Sequence, residues 1–370
     1  MTRWIVIFVV AWAARAHAYP RYQLGQEPTC SGCHLSPAGG GLLNENGLAA
    51  AERLSQWGTA PEFLNGLVTT PSWLELGGDL RGAAGWTRRY DARGAKGALV
   101  DFPMQADVYA AATFDAFSLH ATVGGRDPQY NGSQLTVLAS REHWLQWQQD
   151  PGAPDGLFVR VGRFMPVYGL RFVEHTAYDR AYGGTPLYGE AYGAAVEYVE
   201  PAWEVHATAF VHDPLQGSVE LGDGAAVYGE ARITRATAVG IESKLDVTAD
   251  DRKLYGGVTA KHYVASPELM VQGELELVHQ KIDAGGTDNQ LVGYVLATYF
   301  VGAVMIDVGV GVDDANLALR YLDQEAADVD VHWVATSHVE LLLTNRLQML
   351  ELGAGGQSSG YSLLQLHYRL

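Results

Sequence analysis

Leu269-Met270-Val271-Gln272-Gly273-Glu274-Leu275-Glu276-Leu277 reads with a period of two: Leu269, Val271, Leu275 and Leu277 fall on one side, Gln272, Glu274 and Glu276 on the other. Successive side chains of a strand point to opposite faces, so this stretch is extended, with one apolar and one charged face. The pattern recurs. Leu74, Leu76 and Leu80 alternate with Glu75, Asp79 and Arg81, and Val239, Ile241 and Leu245 alternate with Glu242, Lys244 and Asp246. Segments of this kind follow one another from about Trp73 to Leu370.

Alternation alone fits a water-soluble sandwich as well as a membrane barrel, and the connections decide between them. They read as long and polar after the first, third, fifth and seventh strands (residues 90–97, 127–133, 166–186 and 212–224). They are short at Asp115-Ala116, Glu200-Pro201, Thr234-Arg235-Ala236 and Val301-Gly302. Long loops at one end and short turns at the other are the rule for outer-membrane barrels. Near the end of the chain the same rule predicts a strand over 302–322 with a bulge at 313–316. A loop over 323–330, a strand over 331–343, a Thr344-Asn345-Arg346 turn and two more strands then follow. The last of them carries Leu364, Leu366, Tyr368 and Leu370 against Gln365, His367 and Arg369, up to the final residue. The 19 tyrosines and 9 tryptophans are enough for interfacial girdles. The expected fold is mainly β: a transmembrane antiparallel β-barrel of about 16 strands over residues 72–370.

The first 71 residues differ. Thr2-Arg3, an apolar run from Trp4 to Ala14, and Ala16-His17-Ala18 read as a signal peptide over 1–18, too short for a spanning helix of about 20 residues. Residues 19–71 are loop-rich, with a helical stretch from Gly47 to Trp57 that puts Leu48, Ala51 and Leu54 on one face. Their core is too small to fold comfortably alone. Within them lies Cys30-Ser31-Gly32-Cys33-His34, which uses both cysteines of the chain. A C-x-x-C pair can be a redox dithiol or half a zinc site, but no second Cys or His pair lies between Leu35 and Pro103. With histidine following directly, the spacing is that of a c-type haem attachment site: two thioethers from Cys30 and Cys33, and His34 as an axial ligand. One covalent haem c is expected.

No Met or His between Leu35 and Pro103 can supply the second axial ligand, so it is a barrel residue, a weaker donor, a water or nothing. His175 is the leading candidate distal ligand, because it falls in the longest non-repetitive loop and long barrel loops can fold into the lumen. Met165 borders that loop. His120, His206, His338, Met270 and Met305 fall on the polar face by parity.

The chain carries 42 acidic against 25 basic residues, a net charge of −17, and loss of residues 1–18 removes Arg3 and Arg15 and no acid. That balance favours a cation or a basic partner and disfavours nucleic acid. Glu75, Asp79, Asp107, Glu204, Glu230, Glu274, Glu276 and Asp307 fall on the polar face, where a narrow wet lumen concentrates counter-ions. Arg81, Arg126, Arg160, Arg163, Arg171 and Lys244 make that interior mixed and could serve as struts between carboxylates or meet haem propionates.

With motif, small domain and barrel in hand, the chain resembles the fused outer-membrane monohaem cytochrome-porins that include the bacterial iron oxidases. The resemblance runs from Tyr19-Pro20 through Cys30–His34 and Leu42-Leu43-Asn44-Glu45-Asn46-Gly47 to Trp57-Gly58, and covers the barrel by architecture. Leu48 stands where the family usually has arginine, and the segments around Arg141-Glu142 and Gly162-Arg163-Phe164 look like those of anion-selective porins. The resemblance implies an N-terminal cytochrome c-like plug, on the periplasmic side of the outer membrane or inside the barrel. It would take electrons from extracellular Fe(II) or another donor and pass them to a periplasmic c-type cytochrome. A hydrocarbon core about 30 Å thick is an electron barrier, and a haem within the lumen shortens the gap on both sides. The expected function is an electron conduit with no acid-base chemistry, and Fe(II) oxidation is its leading reaction. The alternatives are a solute porin with a regulatory or structural haem-bearing plug, and a scaffold barrel that docks a multihaem partner.

Overall fold

The computed structural model describes residues 24, 28–91, 94–126, 137–172, 177–186, 189–212, 222–283, 285–319, 323–350 and 356–370. The signal-peptide reading of residues 1–18, the Tyr19-Pro20 match and His175 lie outside the described residues.

Sixteen antiparallel strands close into a barrel. In chain order they are β1 (Leu74–Asp91), β2 (Gly94–Phe114), β3 (Phe117–Arg126), β4 (Val137–Gln148), β5 (Gly156–Phe164), β6 (Ala191–Glu200), β7 (Trp203–Val211) and β8 (Asp223–Thr234), then β9 (Thr237–Val247), β10 (Asp251–Ala265), β11 (Glu268–Ile282), β12 (Thr287–Val301), β13 (Val304–Asp314), β14 (Asp323–Val334), β15 (Val339–Leu350) and β16 (Gln357–Arg369). Each pairs with its neighbour in sequence, and β1 closes the ring on β16 from Asp79↔Arg369 to Tyr90↔Ser358. Two α-helices join them among the described residues: α1 (Glu45–Leu54) before the barrel and α2 (Tyr178–Ala181) between β5 and β6.

Burial along the strands is the reverse of a soluble protein's. On β11, Gln272, Glu274 and Glu276 are buried inside the ring while Leu275 and Leu277 are about half exposed outside it. On β7, Glu204, His206 and Thr208 are buried and Trp203, Val205 and Val211 are exposed. Ile241 is 70% exposed between the buried Gly240 and Glu242. A closed ring has no unpaired edge, and an apolar outer face needs apolar surroundings.

The interior charges meet one another. Arg160 forks onto Glu197 at 2.7 and 2.8 Å, with His206 on the same carboxylate at 3.0 Å. Lys261 pairs with Glu230 at 2.6 Å, and Arg346 with Asp328 at 3.3 Å. Arg160 is one of the struts expected from the sequence; Lys261 and Arg346 play the same part without having been foreseen in it. Losing one partner of such a buried pair costs about 3–5 kcal/mol, because the other charge is stranded.

Three connections depart from the sequence reading. The first is short: β1 and β2 stay paired through Asp91↔Gly94, so residues 90–97 are mostly strand. Near the C-terminus β13 ends at Asp314, and residues 323–334 are a strand rather than a loop. Asp328 and Asp330 there are polar because they face the lumen. Thr344-Asn345-Arg346 is the middle of β15, not a turn, since Thr344 and Arg346 point inward and only one strand follows. The helix begins at Glu45 because the Asn44 side chain accepts the Gly47 N–H at 3.0 Å, and it ends at Leu54, short of Trp57.

Ile241→Arg tests the outward face. In lipid vesicles it should lower unfolding stability by about 2–4 kcal/mol, the cost of a lipid-facing arginine near mid-depth. Denaturant titration of tryptophan fluorescence reads the loss.

Candidate functional site

Residues 28–73 lie against the inside of the ring and its short-turn end. Gln56 and Trp57 donate backbone bonds to Val334 and Ala335, Thr59 meets Ser337 at 2.6 Å, and His338 bonds the Ala60 carbonyl at 2.7 Å. Leu54 joins Met305 and Val334 in one apolar cluster, and Ala38 joins Val167 and Tyr228 in another. The segment therefore takes its core from the barrel, as its small size requires.

The two cysteines sit on and just after a single 3-10 turn (Cys30–Gly32), whose preceding Thr29 side chain accepts the Gly32 N–H. The chain folds back through Gly39, Gly40 and Gly41, at φ +78°, +75° and +60°, a left-handed run that only glycine makes without strain. His34 then pairs with Leu43, and Asn44 clasps the motif by donating to Ser31 O at 2.9 Å while capping α1. A Cβ at Gly39 would come within 3.3 Å of the Cys30 sulfur and 3.9 Å of the His34 ring. The thiols are not joined in a disulfide. Burial pushes the Cys30 thiol up, against the pull of Arg171.

Cys30, Cys33 and His34 all face one cavity of about 1300 Å³ between this segment and the barrel wall. The helix face foreseen from the sequence, Leu48, Ala51 and Leu54, lines it as well, and so do Arg81, Arg141, Arg160 and Arg171. Arg171 comes from the loop between β5 and β6. It donates to the Ala38 carbonyl, and its guanidinium lies 3.9 Å from the Cys30 sulfur. That loop folds inward, with Val167, Tyr168, Leu170, Phe172, Tyr178 and Asp179 all buried, as the length of the connection suggests.

Of the donors on the polar face by parity, His338 lines the cavity with His34, while His120, His206, Met270 and Met305 are buried elsewhere in the interior; Met165, at the border of the loop, lines the cavity too. Met104 and His367 also line it and were not singled out from the sequence. His367 bonds Asp79 at 2.6 Å and Glu340 at 3.3 Å. Its signal was parity in the last strand, the side of Gln365 and Arg369; nothing in the sequence brings that side to residue 34.

No family model and no characterised protein matches the chain by sequence. Its fold is similar to solved structures. An anion-selective porin from Comamonas acidovorans matches with TM-score 0.58 and 12% identity over 80% of this chain and 99% of that one. Outer-membrane expressed OmpT of Vibrio cholerae matches with TM-score 0.58 and 14% identity over 82% of this chain and 100% of that one. Pseudomonas putida OprB, in its high-pH structure, matches with TM-score 0.55 and 14% identity over 80% and 94%. At such identities the likeness is one of fold, a porin-type 16-stranded barrel.

Asn44→Ala removes the clasp between motif and helix. It should cost about 1 kcal/mol, the usual loss for a helix cap, and speed amide exchange in residues 45–54 about fivefold while the strands stay protected. Hydrogen exchange with mass spectrometry measures both.

Proposed function

We propose that this chain is an outer-membrane barrel carrying one covalent haem c in its lumen, and that it conducts electrons across the membrane. The observation that carries the reading is the convergence of Cys30, Cys33 and His34 on one cavity inside the ring. The residues there fit the group. Two thiols one turn apart suit the two vinyl positions, and His34 follows to ligate iron. Gly39 leaves room beside both sulfur and imidazole, and Arg81, Arg141, Arg160 and Arg171 stand on the same cavity as partners for propionates. Bound there, the haem supplies a one-electron couple; the protein's part is to hold it off both aqueous phases and to set its potential through burial and axial ligation.

Extracellular Fe(II) is the leading donor in this reading and a periplasmic c-type cytochrome the acceptor, as the cytochrome-porin resemblance implies. The acidic lumen suits a cationic donor. His175 remains the candidate distal ligand from the sequence, and Met165, Met104, His338 and His367 share the cavity with His34. A second reading is a solute porin whose haem-bearing segment is a regulatory or structural plug. The likeness of the barrel to the Comamonas acidovorans and Pseudomonas putida proteins favours it.

The test is the purified full chain, first by its pyridine haemochrome spectrum and then in liposomes enclosing a ferric acceptor. A c-type spectrum that disappears in Cys33→Ala, and acceptor reduction by external Fe(II) that falls at least about tenfold in the same variant, are expected. His34→Ala should keep the covalent haem but change its Soret band. Free passage of small solutes with no acceptor reduction would overturn the conduit and leave the porin; no covalent haem would overturn both.

A further inference from the structure

The interior charges are paired around most of the ring. The buried glutamates Glu190, Glu197, Glu204, Glu230 and Glu340 each meet an arginine, a lysine or a histidine. One group is different. Glu242 on β9 and Glu274 and Glu276 on β11 turn inward together, and one carboxylate oxygen of each lies within 4.8 Å of the others. Among the described residues no lysine or arginine comes within ion-pair distance of the three. The nearest cation, Lys244, instead donates to the Gly184 carbonyl and lies 4.5 Å from the centre of the Tyr255 ring.

The backbone is shaped for this grouping. Glu242, Gly257 and Glu276 form one rung across β9, β10 and β11, and the missing side chain at Gly257 lets Glu242 reach across β10. A Cβ at Gly257 would overlap the Glu242 carboxylate. The same holds for Gly169 against Glu274 and for Gly183 against Glu276. Gly169 and Gly183 belong to the inward loop, which Glu274 and Glu276 also hold by accepting the Leu170 N–H at 2.5 Å and the Gly184 N–H at 3.0 Å.

These bonds leave acceptor capacity over. Both oxygens of Glu242 and Oε1 of Glu274 are buried without a hydrogen-bond partner. So are both oxygens of Asp179, which is 0% exposed on α2 and belongs to the loop lying over the cluster. Buried carboxylates without partners are strongly unfavourable unless they are protonated or bind a cation. A set made only of carboxylate oxygens, with no nitrogen or sulfur, suits a hard divalent ion of the calcium, magnesium or manganese type.

We infer that Glu242, Glu274 and Glu276, with Asp179 above them, bind one hard divalent cation that fastens the inward loop to the barrel wall. The ion joins β9, β11 and α2 at a point where hydrogen bonds alone leave three or four negative charges facing each other. It holds in place the loop from which Arg171 reaches Cys30, so its effect extends to the cavity without lining it.

The full-length protein, stripped with a chelator in detergent, is titrated with Mn(II) and followed by electron paramagnetic resonance. One immobilised Mn(II) per chain, displaced by Ca(II), is expected, and Glu242→Gln should weaken it at least about tenfold by removing one charged ligand. Glu242 accepts neither the Leu170 nor the Gly184 N–H, and heat-modifiable gel mobility verifies that the variant is folded. Mn(II) should also slow tryptic cleavage after Arg180 in the wild type and not in the variant. Equal Mn(II) binding by both proteins would place the ions on the acidic loops and overturn the inference. Absence of stoichiometric binding, with a protonated-carboxyl infrared band persisting at neutral pH, would overturn it as well.

Discussion

The reversal of burial is the constraint from which the rest of this molecule follows. Once Leu275, Leu277 and Ile241 face outward, Glu242, Glu274 and Glu276 must face inward, because a strand offers no third direction. The ring thus encloses charge, and enclosed charge without partners is costly. Arg160 on Glu197, Lys261 on Glu230 and Arg346 on Asp328 each answer a local part of that cost. What the wall cannot satisfy by itself is met by the two segments that enter it, residues 28–73 from the short-turn end and the loop between β5 and β6.

Those segments depend on the wall in turn. α1 offers Ala50, Ala51 and Leu54, too little apolar surface to fold by itself, and Leu54 completes a cluster only with Met305 and Val334 of the barrel. The loop is held by Glu274 and Glu276 through backbone N–H groups at Leu170 and Gly184. Both are ordered by the charges and apolar pockets of the lumen. The two meet where Arg171 touches Ala38 and approaches Cys30.

This interdependence explains what the sequence discloses and what it hides. Period-two alternation from Leu74 onward reveals strands, since parity follows from the backbone alone, and the connections between them point to a barrel. It fails at Asp323–Asp330 and Thr344–Arg346, where lumen-facing polarity imitates the polarity of a turn; a lumen strand and a surface loop share a composition. The Cys30–His34 spacing is legible for the same local reason as the strands. The company it keeps is not. His367, Met104 and Arg141 reach the cavity from β16, β2 and β4, and only ring closure at β1·β16 makes neighbours of residues more than 300 positions apart. The carboxylate cluster is hidden likewise, because Glu242 and Glu276 become adjacent only through the register that sets Gly257 between them.

A porin-type wall and a filled lumen impose opposite demands. Solute passage needs an open bore, and a ring of 16 strands is wide enough to leave one. Electron passage needs the reverse: a redox centre held deep in the insulating layer, and packed atoms in place of mobile water. Here one end of the bore holds a segment whose motif faces inward, and a buried loop occupies the interior beside it, with Arg171 as their meeting point. The fold is that of a porin-type barrel, and two inward segments occupy part of its bore.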